Sequence, residues 1–383
     1  MNSIILIFSL VAGMLFSQCA CSHASSYGNG GENTIVKTDK PDIPSDRYGK
    51  TLSDDIVYAN ALSIAGGDVG MQCFDILKNG DILACGTRHS ALYFQRMTPS
   101  GQYRKEMKIW YAAHGTNMSV EEDGEDAYVW TSNYSSRLGG EGDYYAEKII
   151  SRVRYQPGVT LMPEDCEDNY YVGPYQNLLV CTDTENDNLC ILYSSGEVSG
   201  KDTKVVVWSL KKAKKVPVTT VNIGTVVRGG GSGPVAEIET ISPDVAVHDL
   251  SALKPKYSFF INSVELNDGA PMQGFCIYKK RLYWFTGDGS KRTAKVSVIT
   301  FNGMVELSQQ SLAFIDDKAG IVKLGSKSGY FEAEGIKIRK GILYTGYLWG
   351  PTGNWKLTIL NNWGIWRTQT DDSCRWMRSG ALT

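Results

Sequence analysis

Five polar side chains stand near the starts of strand-like runs: Gln72, His114, Glu121, Gln273 and Glu334. They offer two amides, two carboxylates and an imidazole. Amides and carboxylates exchange hydrogen bonds with hydroxyl groups, which is the chemistry of sugar recognition. With the imidazole, the same set suits a hard cation or the activation of a water. A further role needs no ligand, because buried side chains of these types also tie neighbouring elements together by hydrogen bonds. Tyr144 and Tyr145 lie in the polar stretch 132–146 and read as an exposed aromatic pair. The apolar face of a sugar ring would stack on such a pair, although tyrosines are equally at home in a core. No cofactor is expected, and a divalent cation is the one ion this set would accept.

Other chemistries find little support. The chain has no GxSxG, no HExxH and no P-loop. The run Arg228 to Pro234 is rich in glycine but lacks the Lys and Ser or Thr that follow in a phosphate cradle, so it reads as a flexible connection. Asp183, Glu185 and Asp187 alternate like calcium-loop ligands, yet neither the sixth-position glycine nor the closing glutamate follows. They read as a solvated hairpin tip, and Lys211 to Lys215 as a basic, solvated turn. Lys plus Arg number 39 against 41 Asp plus Glu, a net charge of −2. That balance gives no reason to expect nucleic acid or an anionic membrane surface as partner.

The elements that must position these groups are short strands. Asn79-Gly80 between two apolar runs is a hairpin signal. The same form recurs at 275–285 and 335–345, and more loosely at 177–193 and 120–130. Recurrence at intervals of several tens of residues indicates a strand-rich repeat, and such repeats close into propellers. Five units are expected, at about 71–113, 114–160, 165–215, 270–320 and 331–366, with 216–269 less regular. The fold class is therefore all-β, a β-propeller of five blades.

The N-terminus carries a different signal. Ile4 to Phe16 is an apolar run too short to span a bilayer but suited to the core of a signal peptide. Cleavage after Ala24, or lipid attachment at Cys19 or Cys21, both fit the small residues that follow. Leu15 to Cys19 resembles a loose lipobox, which favours Cys19 as the lipidated residue. Residues 25–53 are polar and read as a flexible tether, leaving 54–383 as the propeller domain. Of the nine cysteines, Cys73 with Cys85 and Cys181 with Cys190 lie on neighbouring runs where cross-strand disulfides fit. Buried free thiols fit the same positions.

Several short motifs occur in a fixed order. Gln72 precedes Phe74-Asp75-Ile76. Then come His114-Gly115-Thr116, Val120-Glu121 and Val129-Trp130-Thr131-Ser132. Gln273-Gly274-Phe275 and Glu332-Ala333-Glu334-Gly335-Ile336 follow. This order resembles the receptor-binding β-propellers of staphylococcal phage tails, with the related teichoic-acid-biosynthesis-protein-C-like and helveticin-J-like bacteriocin proteins. The resemblance covers about 70–360 and implies a five-bladed propeller. For the phage members it also implies attachment to cell-wall glycopolymers. The leader and tether, however, resemble those of a Gram-negative surface lipoprotein, whose cell makes no teichoic acid, so the fold carries over better than the ligand.

The expected protein is thus exported, as an outer-membrane or cell-surface lipoprotein or else secreted or periplasmic. It is expected to be monomeric and to meet a membrane only through its lipid. A non-catalytic module binding a glycan or cell-envelope polymer is the leading expectation. A bacteriocin-like or glycan-cleaving enzyme working in the channel, and a scaffold for protein partners, are the alternatives.

Overall fold

The computed structural model describes residues 56–61, 70–88, 90–98, 103–137, 144–194, 202–230, 233–312, 318, 326, 329–349 and 356–361. The leader, Cys19, the tether and Cys374 lie outside them. Among the described residues no helix is long and apolar enough to cross a membrane.

Five sheets of four or more strands make five blades. Blade 1 is Gly70–Ile76, Ile82–Arg88, Ala91–Met97 and Tyr103–Trp110. Its first hairpin turns at Asn79-Gly80, where the Asn79 side chain accepts from the Asp81 amide at 2.9 Å and Gly80 has φ of 85°. Blade 2 begins with Met118–Asp123, Asp126–Asn133, Ile149–Arg154 and Asp168–Tyr171. Blade 3 is Gln176–Asp183, Asn188–Ser194, Asp202–Ser209 and Tyr257–Asn262. Blade 4 is Met272–Tyr278, Arg281–Asp288, Thr293–Thr300 and Val305–Ser311. Blade 5 is Glu332–Arg339, Ile342–Trp349 and Lys356–Asn361, completed by Ile56–Ala61 from the start of the chain. That early strand pairs antiparallel with Lys356–Asn361, so the two ends of the ring are joined and blade 5 gains its fourth strand.

The irregular segment 216–269 is not a blade of its own: its strands are shared between two blades, apart from Val226–Arg228 and Glu239–Ile241, which pair as a separate two-stranded sheet. Val218–Asn222 and Asp244–Asp249 extend blade 2, the latter in parallel pairing that sets Tyr170 opposite His248. Tyr257–Asn262 then completes blade 3. The glycine run is anchored rather than flexible where it is described: the Gly229 carbonyl accepts from Arg137 at 3.1 Å and from the Tyr144 hydroxyl at 3.2 Å. The basic turn is likewise tied down. Ser209 caps the short helix Leu210–Ala213 by accepting from the Lys212 amide, and Lys214 reaches back to Glu121.

The core lies in the seams between blades, as expected when the apolar faces of twisted sheets stack around a ring. Leu83, Phe94, Met107 and Val129 fill the seam between blades 1 and 2. Trp130, Tyr170, Ile191 and Trp208 fill the next, with the rings of Trp130 and Tyr170 4.7 Å apart. Val205, Phe275, Trp284 and Tyr347 belong to one cluster that joins blades 3 to 5, and Phe74, Ile82, Leu357 and Ile359 join blade 5 to blade 1.

Four of the five innermost strands carry an irregularity near their starts, between Met71 and Cys73, Gln176 and Leu179, Met272 and Gly274, and Ala333 and Ile336. Such bulges bend a strand and re-aim its side chains. At Gly335 the backbone has φ of 95°, and an added Cβ would stand 3.0 Å from the Cys73 Cα. Gly335→Ala is therefore expected to cost about 1–3 kcal/mol through strain and a backbone clash across the seam. A urea unfolding midpoint unchanged from the parent would show that the strand relaxes instead.

Candidate functional site

The innermost strands of the five blades pack side by side round a central axis, and hydrogen bonds between blades hold them there. Asn117, just ahead of the blade 2 inner strand and 1 % exposed, is the hub. Its amide donates to the Val180 carbonyl of blade 3 at 2.6 Å and accepts from the Phe275 amide of blade 4 at 3.2 Å. The Cys73 thiol of blade 1 donates to the Gly115 carbonyl at 3.1 Å. Ser119 and Thr182 share a hydroxyl contact of 2.8 Å, and Ser132 donates to the Leu178 carbonyl. Gly274 lies against Asn117 and Gly335. The middle of the channel is thus closed by packed backbone, and a different constellation lies at each end.

At the C-terminal ends of the inner strands is a cavity of about 500 Å³ lined from all five blades. That is within the size range of small-molecule sites. Lys337, 4 % exposed, lies at its base; its ammonium donates to the Met118 carbonyl and stands 3.9 Å from Asp75. Asp75 accepts from the Val120 amide at 2.8 Å. Glu122 accepts from the Lys78 amide at 2.8 and 3.0 Å and from Arg339 at 3.4 Å. Asp183 accepts from Asn186 and, at 3.1 Å, from the Lys279 amide of blade 4; burial pushes its carboxyl up. It is a buried brace rather than a solvated tip. Four carboxylates (Asp75, Glu122, Asp183, Glu185) and four cations (Lys78, Lys337, Arg339, Lys340) line the cavity, and the half-buried Tyr278 adds an aromatic ring. The lining is therefore strongly polar yet balanced in charge.

Gln72, Gln273 and Glu334, within the first three residues of their strands, and His114, ahead of its strand, belong to the other end. Gln72 is half-buried, with its Cβ 3.7 Å from where a Gly115 side chain would begin. The His114 ring stacks on Tyr145 at 4.9 Å and 21°. Beneath them Glu147, 5 % exposed, is pushed up to about 7 by burial, even though its own amide and that of His114 donate to its carboxylate. Gln273 donates weakly, at 3.4 Å each, to the Gly287 carbonyl and to Glu332. Burial and the neighbouring Glu332 hold the Glu334 carboxyl far above the usual range.

Glu121 is not part of either end. Its carboxylate accepts from Arg152 at 2.9 Å, from the Trp130 indole at 3.0 Å and from Lys214, bracing blade 2. Its neighbour Glu122 lines the cavity instead. The expected exposed pair of tyrosines is also corrected: Tyr144 is 2 % exposed, packed on Tyr111 at 5.3 Å, and only Tyr145 is half-buried. Cys73 and Cys85 do stand opposite each other in register, as do Cys181 and Cys190, but all are buried free thiols. Sequence reasoning overlooked Glu122, Lys337 and Arg339. The signal that would have found them was the recurring position just before each inner hairpin turn.

Residues 244–341 match the family described as the phage 5-bladed beta propeller receptor binding platform domain. The matched segment takes in the strand Asp244–Asp249 of blade 2, the last strand of blade 3, all of blade 4 and the inner strand of blade 5. Among curated proteins none matches the chain. Solved structures are similar at low identity, and three of them show the range. A hypothetical protein from Leishmania major is 10% identical over 82% of this chain and 91% of its own, with a TM-score of 0.36. A protein of unknown function from Bacteroides caccae is 10% identical over 67% and 72%, at 0.28. A catalytically inactive virginiamycin B lyase from Staphylococcus aureus, solved with quinupristin, is 11% identical over 78% and 98%, at 0.25. Likenesses this distant carry no functional argument. Five sheets round one axis, with the match over 244–341, make this chain a β-propeller of the five-bladed type.

Proposed function

We propose that the propeller is a non-catalytic binding platform for a neutral, hydroxyl-rich polymer of the cell surface, seated in the cavity at the C-terminal ends of the inner strands. The carrying observation is convergence: all five blades contribute polar groups to one recess of ligand size, with acids and bases in equal number. Balanced charge suits a polyhydroxylated ligand better than a polyanion, and the half-buried Tyr278, packed on the core with the Lys279 ammonium 5.5 Å from its ring centre, adds aromatic surface to the recess. The match of 244–341 to a receptor-binding platform supports a binding role. In this reading the chain is exported, Cys19 takes a lipid, and residues 25–53 hold the propeller away from its anchor.

The test is binding of the purified propeller to an array of bacterial and host glycans. Tyr278→Ala is expected to weaken saturable binding about tenfold, equivalent to ~1.4 kcal/mol. Gln72→Ala and His114→Ala, at the other end of the channel, should leave it nearly unchanged. Loss in the latter two alone would move the ligand to the opposite end. Absence of binding to any glycan, with all proteins folded, would discard the carbohydrate reading and favour a protein partner.

A further inference from the structure

The end of the channel opposite the cavity holds negative charge that its surroundings do not balance. Glu332 and Glu334 stand two residues apart on the inner strand of blade 5. Glu332 accepts from Gln273 of blade 4 at 3.4 Å and from the Tyr330 hydroxyl. Glu334 is 3 % exposed, and its Oε2 has no hydrogen-bond partner among the described residues. Of the charged neighbours, Asp288 acts on Glu332 but is itself paired with Lys291 at 3.3 Å, and Glu332 acts on Glu334. Among the described residues no lysine, arginine or histidine forms an ion pair with either carboxyl.

The buried Glu334 carboxylate with an unpartnered oxygen is costly, and the half-buried, hydrogen-bonded Glu332 beside it adds to that cost. Either a proton or a cation must cancel the charge. The donors at this place are oxygens: two carboxylates and the Gly287 carbonyl. The Gln273 amide can join them, since its nitrogen makes only long contacts of 3.4 Å to the Gly287 carbonyl and Glu332. A flip of that amide would turn its oxygen inward. Oxygen-only ligation with a formal charge of −2 suits a hard divalent ion, with water completing the shell.

We propose that Glu332, Glu334, Gln273 and the Gly287 carbonyl form a divalent-cation site of the calcium class in the seam between blades 4 and 5. The ion would pin the inner strand of blade 5 to blade 4. This site is separate from the glycan cavity, so neither proposal depends on the other.

The full chain, with and without about 1 mM CaCl2, a level that suits extracellular calcium modules, provides the test. The Tm is expected to rise with calcium and return with a chelator, because a ligand that binds only the folded state stabilises it. Glu334→Gln should lose that rise while already melting higher than the parent in chelator, since it removes the uncompensated charge and keeps the shape. Glu185→Gln, in the opposite cavity, should keep the full rise. The proposal is overturned if calcium, magnesium and manganese all leave the parent Tm unchanged, which is the outcome for a pair that merely holds a proton. An undiminished rise in Glu334→Gln overturns it equally. Should that variant not fold, equilibrium dialysis of the parent and of Glu332→Gln decides: retention near one ion per parent chain, reduced in the variant, supports the site, and no retention rejects it.

Discussion

Glu121→Ala is expected to destabilise the propeller by about 3 kcal/mol, the lower end of the range for breaking a buried ion pair from one side. The loss comes from what is left behind. Arg152 is largely buried and would keep one carboxylate partner, Asp168 at 3.1 Å, while the Trp130 indole would have its donor stranded in the core. Lys214 is more exposed and can turn to water, which is why the lower figure is chosen. The effect depends on pH. Burial by itself would raise the Glu121 carboxyl, but the hydrogen bonds from Lys214, Arg152 and Trp130 outweigh it and hold it below its ordinary value. A depressed native pKa means the stabilisation is complete above the unfolded value of 4.5 and fades as pH falls through the lower native value. Urea midpoints of parent and variant should therefore differ most at pH 5 and above and draw together in acid. Equal midpoints at neutral pH would show that the carboxylate braces nothing.

Glu147→Gln is expected to act in the opposite direction. Burial raises this carboxyl from 4.5 to about 7 in the folded protein. The unfolded chain releases the proton near 4.5, so folding becomes progressively harder between these two values as pH rises, and the penalty levels off above the native pKa. The separation corresponds to about 3 kcal/mol at most. Parent stability should fall by up to this amount between pH 4.5 and 7, on top of any other titration. Glutamine keeps an acceptor oxygen for the amides of His114 and Glu147 but has no charge to bury, so the variant should be the more stable protein at pH 8 and flatter across the window. Thermal melts across pH 4.5–8 read this directly. The same slope in parent and variant would remove Glu147 as its source. Because the His114 amide donates to this carboxylate, the state of Glu147 also bears on how firmly the His114 and Tyr145 stack is seated.

Glu121 and Glu122 show where reading a sequence stops. Both lie on the strand Met118–Asp123, which the sequence pattern does not mark because their polar run reads as a break between apolar runs. Which carboxylate faces the channel depends on register, and a slip of one residue exchanges the two faces. Register here is settled by contacts to two other blades, Ser119 with Thr182 of blade 3 and the Met118 carbonyl with Lys337 of blade 5, that lie 63 and 219 residues away. Tyr144 teaches the same lesson. Its neighbours in sequence are polar and glycine-rich, yet Tyr111 and the Gly229 carbonyl close over it from 33 and 85 residues away, and no local pattern encodes that cover.

What the sequence determined by itself is local. Turn residues such as Asn79-Gly80, and apolar runs of strand length at 275–285 and 335–345, specify hairpins, because a tight turn and a pleated strand depend on residues within reach of one another. Their recurrence was enough for the propeller and the number of its blades, but not for the bounds: Asp168–Tyr171 belongs to blade 2 rather than to the unit expected at 165–215, and Ile56–Ala61 belongs to blade 5. The tertiary structure decided the rest. It divided 216–269 between blades 2 and 3, because a strand's edge hydrogen bonds are the same whichever neighbour takes them, and seam packing makes the choice. It also separated the polar residues into a charge-balanced cavity at one end of the channel and an acidic cluster at the other, since the closing of the ring alone sets which side chains converge.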